Sequence, residues 1–156
     1  MNDLNRREFA LATMACACAM SLPQVVEAAE PSTQPAAAPG PVDAGALTTY
    51  ASNRINDAFA KPNKFFVIRA DDRLYAPNAV CTHKRCTLKL RDGSMACPCH
   101  GSKYSIEGTP LKGPAKYSLY RYGISIDEKK RVIVDTSKQF DEKDWEKAGS
   151  FVSLKA

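Results

Sequence analysis

Histidine is scarce in this 156-residue chain, which contains only His83 and His100. Cysteine is almost as restricted, because the four cysteines beyond residue 18 all lie between Cys81 and Cys99. No histidine is left for a catalytic or metal-binding site elsewhere. A separate mononuclear iron site of two histidines and one carboxylate is therefore excluded if residues 81–100 already hold a metal. We expect the chemistry of the chain within this segment.

Long apolar runs are also lacking. The apolar stretch near the N-terminus runs only from Phe9 to Leu22, whereas a membrane-spanning helix needs ~20 apolar residues. It follows the paired arginines Arg6 and Arg7, a pattern that resembles a twin-arginine export signal. We predict that residues 1–28 are such a signal and that the protein is periplasmic or lies on the outer face of the inner membrane. Retention of the signal as an anchor is the alternative.

The rest of the chain divides by composition. Residues 29–46 are rich in alanine and proline. We expect the prolines to prevent helix or sheet, which predicts a semi-extended linker. Residues 47–137 are predicted to form one domain, because the remaining length is too short for two. Residues 138–156 are predicted to be a C-terminal extension that packs on this domain. Within the extension we expect a short capped helix at residues 141–147, with Trp145 in a packing role, and a last strand at residues 151–154.

The predicted domain is all-β and antiparallel. Short β-rich or alternating runs recur, and they cover residues 64–69, 73–76, 88–91, 117–126 and 131–135. Asp92-Gly93 is a turn signal that predicts a hairpin between the two cysteine-containing segments. The metal-binding residues would then lie on loops of this domain.

Two short segments contain these residues, in the pattern Cys81-x-His83-x2-Cys86 and Cys97-x-Cys99-His100. Each segment offers a thiolate and an imidazole, plus one further cysteine. Two cysteines and two histidines can hold a structural zinc ion, but zinc fingers usually place the cysteines together and the histidines together. The mixed segments suit a two-iron cluster, with two cysteines on one iron and two histidines on the other. A structural zinc site remains the alternative.

The two segments resemble the paired boxes of the Rieske [2Fe-2S] family, in its disulfide-containing branch found in cytochrome bc-type complexes. The resemblance implies a Rieske-type domain that holds one [2Fe-2S] cluster on its loops. It implies the iron ligands Cys81, His83, Cys97 and His100, with the histidines on the outer iron. It also implies a disulfide between Cys86 and Cys99 that joins the two loops.

The resemblance extends to residues around the cluster. Ser102 and Tyr104 stand where high-potential relatives place hydroxyl groups that donate to cluster sulfur, which stabilises the reduced state. Gly113-Pro114-Ala115 stands where relatives carry a proline-containing loop over the cluster. The outward ring nitrogens of the two histidines link electron and proton affinity, so we expect a reduction potential that falls as the pH rises.

One departure lies between the first histidine and its disulfide cysteine. Quinol-oxidising relatives typically have Leu-Gly there, whereas this chain has Lys84-Arg85. Two cations entering an apolar quinol pocket would incur a desolvation cost of roughly several kcal/mol unless paired. We therefore expect docking through Lys84 and Arg85 to an acidic redox protein or to a larger catalytic subunit.

Charge adds one constraint on partners. Removal of residues 1–28 deletes two arginines and three acids, which leaves 20 basic and 14 acidic residues and a net charge of +6. The positive charges are interspersed with acids and form no stripe with aromatic residues, so we expect no nucleic-acid partner. A membrane contact is expected only if the signal is retained.

The predicted function is one-electron transfer in an exported redox chain, as a carrier or as the small subunit of an oxidoreductase. The alternatives are the Rieske subunit of a membrane quinol:cytochrome c reductase and, less favoured, a structural zinc domain. Electron transfer needs no catalytic acid or base, so no catalytic residue is assigned.

Overall fold

The computed structural model describes residues 39–52 and 54–155. These residues fold as two antiparallel sheets with two short 3-10 helices, at Leu47–Tyr50 and Glu142–Asp144. The predicted all-β fold class is confirmed. The predicted signal at residues 1–28 and the linker residues before 39 lie outside the described residues. No helix in the described ranges combines the length and apolarity needed to cross a bilayer.

The larger sheet forms the base of the domain. Its strands are, in spatial order, β1 (Pro41–Ala46), β10 (Arg131–Phe140), β9 (Arg121–Ile126), β4 (Arg73–Pro77), β3 (Val67–Ala70) and β2 (Arg54–Asn56). The short strand β11 (Val152–Ser153) also pairs with β4. The β9–β10 hairpin turns at residues 127–130, between the two β-rich runs predicted at residues 117–126 and 131–135.

The smaller sheet carries the cysteine-containing loops. Its strands are β5 (Lys89–Arg91), β6 (Ser94–Ala96), β7 (Lys103–Tyr104) and β8 (Pro110–Lys112), in chain order. The predicted β5–β6 hairpin is present, and its two turn residues have positive φ angles, 48° at Asp92 and 69° at Gly93. A two-residue type I′ turn requires this conformation, which Asp-Gly adopts readily.

Two buried clusters pack on opposite sides of the chain at residues 65–68. Phe65 and Val67 belong to the cluster of the larger sheet, while Phe66 and Ile68 belong to the cluster beneath the cysteine-containing loops. Successive side chains of a strand point to opposite faces, so one apolar run serves both clusters. Each such side chain stabilises the fold by about 1.5–3 kcal/mol through burial, and the second cluster fixes the base of the loops.

The expected linker ends earlier than residue 46. Its last six residues, Pro41–Ala46, form strand β1 and pair with β10. Proline was expected to prevent a strand here, and that expectation is wrong. Pro41 is the first residue of an edge strand, where a missing N–H costs no ladder hydrogen bond.

Residues of the C-terminal region pair with strands of the larger sheet. β10 runs through the expected boundary at residue 138, and Gln139 and Phe140 resume pairing with β9 after a register shift. The helix expected at residues 141–147 is reduced to the 3-10 turn at Glu142–Asp144, and the side chain of Asp141 forms no capping hydrogen bond. A lone turn without a side-chain cap does not propagate into an α-helix.

Candidate metal centre

The two cysteine-containing loops have the same backbone closure. In the first loop the Cys81 N–H donates to the carbonyl of Cys86 at 2.9 Å, and in the second the Cys97 N–H donates to the carbonyl of Ser102 at 2.8 Å. The residue four positions after each cysteine donates back to that cysteine's carbonyl, Arg85 at 3.0 Å and Gly101 at 3.0 Å. The sequence spacing thus builds two equivalent loops, one after β4 and one after β6.

Each loop reverses at its fifth residue. Arg85 has φ 57° and Gly101 has φ 73°, in the left-handed region that glycine adopts without steric cost. A non-glycine residue pays roughly 1–2 kcal/mol for this conformation. The first loop therefore carries backbone strain at Arg85 that the second avoids.

The predicted ligands lie at two depths. The free cysteines Cys81 and Cys97 are buried, at 1% and 3% exposure. His100 is exposed and His83 is intermediate, and their rings lie 4.9 Å apart between centroids, nearly perpendicular. The structure brings all four residues together on the two neighbouring loops. The thiols point inward and the imidazoles point outward.

The histidine side offers a free ligand atom. The Nδ1 atom of His83 is buried and has no hydrogen-bond partner among the described residues. A buried ring nitrogen without a partner is costly, and coordination of a metal would satisfy it. Two buried thiols and two imidazoles are the donors that a [2Fe-2S] cluster of mixed ligation requires, so the residues present fit this group.

The surplus cysteines are joined to each other. Cys86 and Cys99 form the implied disulfide, with their Cα atoms 6.5 Å apart. Their sulfurs and that of Cys97 lie within 4.8 Å of one another, but a disulfide has no thiolate to give a metal. This trio is therefore no metal site, and the bridge acts as a cross-link between the loops.

Tyr104 supplies a hydroxyl beside the first cysteine. It is fully buried, and its Oη lies 3.4 Å from the Sγ of Cys81. The Thr82 N–H donates to this oxygen at 3.0 Å, and the Thr82 hydroxyl lies 2.9 Å from it. Burial, followed by the contact with Cys81, raises the pKa of Tyr104 to about 12. The phenol therefore keeps its proton at neutral pH.

The Cys81 thiol is held in a polar setting despite its depth. Burial alone raises its pKa, but hydrogen bonds from Tyr104, the His83 backbone, Cys97 and Ser102 outweigh burial and lower the pKa. The surroundings of this sulfur thus favour the thiolate, which is the form that binds metal.

Ser102 joins the second loop to the proline-containing segment. Its side chain is fully buried, and its Oγ accepts a hydrogen bond from the Ala115 N–H at 3.1 Å. The hydroxyl proton is left to donate, and Ser102 is among the groups whose hydrogen bonds lower the pKa of Cys81. Thr82 makes the matching link from the first loop, because its hydroxyl donates to the Tyr117 carbonyl at 2.9 Å. The segment around Pro114 is thereby attached to both loops.

A family model, described as the Rieske [2Fe-2S] domain, matches residues 42–123, which is more than half of the chain. The chain belongs to the Rieske [2Fe-2S] family. This confirms the predicted resemblance and the predicted cofactor, one [2Fe-2S] cluster. Family membership also favours the cluster over the structural zinc site.

Curated relatives are similar over the Rieske domain. The cytochrome b6-f complex iron-sulfur subunit 2 of Synechocystis sp. is 33% identical over 81 residues, covering 49% of this chain and 45% of the relative. The chloroplastic iron-sulfur subunit 1 of Nicotiana tabacum is 39% identical over 74 residues, covering 45% and 32%. The chain therefore matches half or less of the length of these relatives.

A solved structure is also similar to part of this chain. The cyanobacterial plasma membrane Rieske protein of Synechocystis PCC 6803 is 26% identical with a TM-score of 0.48, covering 60% of this chain and 98% of that one.

The sequence predicts four iron ligands and two hydroxyl residues, but it did not single out Thr82. The signal was available, because Thr82 is a hydroxyl residue between Cys81 and His83. Its role depends on the approach of Tyr104 and Tyr117, which are distant in sequence. The iron-ligand and hydrogen-bonding roles of the predicted residues stay predictions.

The charged residues around the Rieske loops form no ion pair with any other residue that the structure describes. Residues 81–117 contain seven cations and two acids. Five ion pairs form among the described residues, and none of them involves residues 81–117. Lys84 and Arg85 are both exposed. Nothing in the described fold neutralises the positive charge around the site.

Proposed function

We propose that this Rieske protein exchanges single electrons with an acidic redox partner, as an exported carrier or as the small subunit of a larger oxidoreductase. The observation that carries the proposal is the pair of equivalent loops, which present two buried thiols and two outward imidazoles. When bound, a [2Fe-2S] cluster supplies a one-electron couple at this position.

The polypeptide has three tasks in this function. Cys81 and Cys97 would hold one iron in the interior, while His83 and His100 would hold the other close to solvent, where a partner can approach. The disulfide and the hydrogen bonds of Ser102 and Thr82 keep the loops and the proline-containing segment in one arrangement. A rigid site of this kind limits the reorganisation that accompanies each electron transfer.

Lys84 and Arg85 support an acidic partner. Both are exposed beside His83, without an ion pair in the described parts of the chain. Arg85 also occupies a left-handed backbone conformation that disfavours its side chain. Local stability would favour glycine at this position, so the presence of arginine fits a role in binding. Opposite charges on a partner would steer it to the histidine end.

The second candidate is a subunit of a membrane quinol-oxidising complex. The curated relatives are named iron-sulfur subunits of the cytochrome b6-f complex, and this likeness favours it. Lys84 and Arg85, on the first cysteine-containing loop, argue against this function. An apolar quinol pocket would desolvate their charges without supplying opposite charges. We therefore place the acidic-partner function first.

The place of action is also proposed. Arg6 and Arg7 before an apolar stretch support export by the twin-arginine route, in keeping with a cofactor inserted before export. A periplasmic site, or one on the outer face of the inner membrane, follows.

The deciding experiment is a redox titration monitored by electron paramagnetic resonance, on protein purified after export. We expect a rhombic reduced [2Fe-2S] signal with a low average g value, appearing at positive potential. A sample that contains zinc and gives no signal at any potential would overturn the electron-transfer function.

A further inference from the structure

One row of side chains crosses the outer face of the smaller sheet. The strand register places Lys89 opposite Ala96, Ala96 opposite Lys103, and Lys103 opposite Lys112. Residues directly opposite each other project on the same face. The alternate residues Met95 and Tyr104 are fully buried, whereas the three lysines of the row are exposed, so the row faces outward, with Ala96 covered at 8% exposure. We call Lys89, Lys103 and Lys112, together with Arg91 two residues along β5, the cationic face.

Repulsion between the like charges of the cationic face destabilises the isolated domain. Lys103 and Lys112 are exposed and directly opposed across β7 and β8, and like charges in this arrangement destabilise a sheet. No ion pair among the described residues relieves them. A binding partner that supplies carboxylates would relieve this repulsion.

The cationic face adjoins the second ligand loop. A cavity of about 300 Å³ opens between Arg91 and Lys103, with Ala96 in its lining and Cys97, Pro98 and Gly101 along one side. Asp92, at the hairpin tip, is the one acidic residue that lines it. A side chain inserted here would lie against the loop that carries Cys97 and His100. The face is therefore concave and positive, and it is continuous with the metal centre.

We propose that the cationic face is a second docking surface, which binds the acidic surface of a redox protein or subunit. It is distinct from Lys84 and Arg85, which lie on the first ligand loop, because it adjoins the second ligand loop. The inference rests on the proposed function for the identity of the partner. Carboxylates spaced along the row, which spans ~14 Å over three inter-strand distances, would match it.

The composition of the face favours protein over the other anions. Nucleic acid binding to a sheet generally uses aromatic side chains on which bases stack. The residues that share the face of this row are lysine, arginine, serine and alanine, without an aromatic ring. Leu111, between the paired residues Pro110 and Lys112 of β8, is 64% exposed. Membrane adsorption generally adds several apolar side chains that enter the headgroup region, whereas Leu111 is the one exposed large apolar side chain among the described residues of this sheet. Shape-matched carboxylates remain the best complement.

The test compares two charge reversals of equal size on the holoprotein. Lys103→Glu/Lys112→Glu alters the cationic face and keeps two like charges opposed, so strand stability is conserved. Lys129→Glu/Lys130→Glu, in the exposed turn between β9 and β10, is the matched control. Binding of a fluorescent poly-glutamate peptide is measured by anisotropy at several salt concentrations. Single-stranded DNA and anionic phospholipid vesicles are titrated in parallel.

We expect the face variant to bind the peptide about tenfold more weakly and with a smaller salt dependence, while the control changes it by less than about twofold. Equal weakening in both variants would show a net-charge effect only and would overturn the inference. Tighter binding of DNA or vesicles than of peptide, lost in the face variant, would also overturn it. Peptide binding needs no electron transfer, so this result is independent of the magnetic resonance test of the proposed function.

Discussion

Arg85 and Gly101 occupy the same position in the two ligand loops. Each donates its N–H to the carbonyl of the cysteine four residues earlier, and each has a positive φ angle, 57° and 73° respectively. One loop therefore meets the conformational demand with glycine, and the other meets it with a long cationic residue. The fold therefore does not require arginine at this position, which agrees with the binding role proposed for Arg85.

Replacement of Arg85 by glycine should stabilise the protein. Relief of the left-handed strain outweighs the added freedom of the unfolded chain, and we expect the free energy of unfolding to rise by about 1 kcal/mol. Lys84→Gly is the matched control, since Lys84 is not among the residues with positive φ, and it should be neutral or destabilising. Denaturant unfolding of the holoproteins measures both, and a loss of stability in Arg85→Gly would contradict the strain argument.

The tip charges should control the rate of partner encounter. Lys84→Glu/Arg85→Glu is expected to slow electron exchange with an acidic partner by about tenfold at low salt and to flatten its dependence on ionic strength. Stopped-flow oxidation of the reduced protein measures this effect. Lys129→Glu/Lys130→Glu introduces the same charge change away from the loops and should have a smaller effect. Unchanged rates in the tip variant would exclude Lys84 and Arg85 from docking.

The hydroxyls of Tyr104 and Ser102 should raise the reduction potential. Tyr104→Phe and Ser102→Ala each remove one donor to the sulfur environment, and we expect each to lower the potential by several tens of millivolts, given that about 59 mV equals a factor of ten for one electron. Electrochemical titration measures it. Tyr75→Phe is the control, because the Tyr75 hydroxyl is buried but has no hydrogen-bond partner among the described residues. Unaltered potentials in both variants would refute the assignment.

Much of the site was predictable because its signals are local. Cysteine and histidine at close spacing predict the ligands, and Asp92-Gly93 predicts the hairpin between them, which the structure contains. The cationic face was not predictable, because Lys89, Lys103 and Lys112 align only through strand register. The role of Thr82 was not predictable for the same reason, because its two hydrogen-bond partners belong to β7 and to the proline-containing segment.

The predictions of the fold that were wrong also failed for physical reasons. Proline is excluded from central strands, but Pro41 begins the edge strand β1, where its missing N–H is tolerated. The expected helix at residues 141–147 failed because local propensity was outweighed by tertiary contacts. Trp145 lies against the guanidinium of Arg121, 4.1 Å from Cζ to the ring centroid, and the Ser150 hydroxyl bonds to the carbonyls of Trp145 and Lys147. These contacts fix the segment as turns.

Stability should decline at alkaline pH. Burial raises the pKa of Tyr75 to about 12, against the opposing effect of Arg121 nearby. A raised folded-state pKa contributes stability that is complete below about pH 10 and is lost as the pH rises toward 12. Denaturant unfolding at several pH values should show this decline, with a shallower slope in Tyr75→Phe. Tyr117→Phe is the control, because Tyr117 is 74% exposed in the folded protein; an equal slope in Tyr75→Phe and wild type would contradict the prediction.

Loss of the Cys86–Cys99 bridge should release the loops from each other. The cysteines are separated by 13 positions, and a cross-link closing a loop of this size stabilises a protein by ~3 kcal/mol on chain-entropy grounds. Cys86→Ser/Cys99→Ser should therefore lower the free energy of unfolding by about that amount, and its visible absorption should bleach faster in the presence of an iron chelator. Cys16→Ser/Cys18→Ser is the control where these residues are retained, since neither lies in the Rieske loops. Equal stability and equal bleaching in the bridge variant and wild type would show that the hydrogen bonds of Ser102 and Thr82 hold the loops without the disulfide.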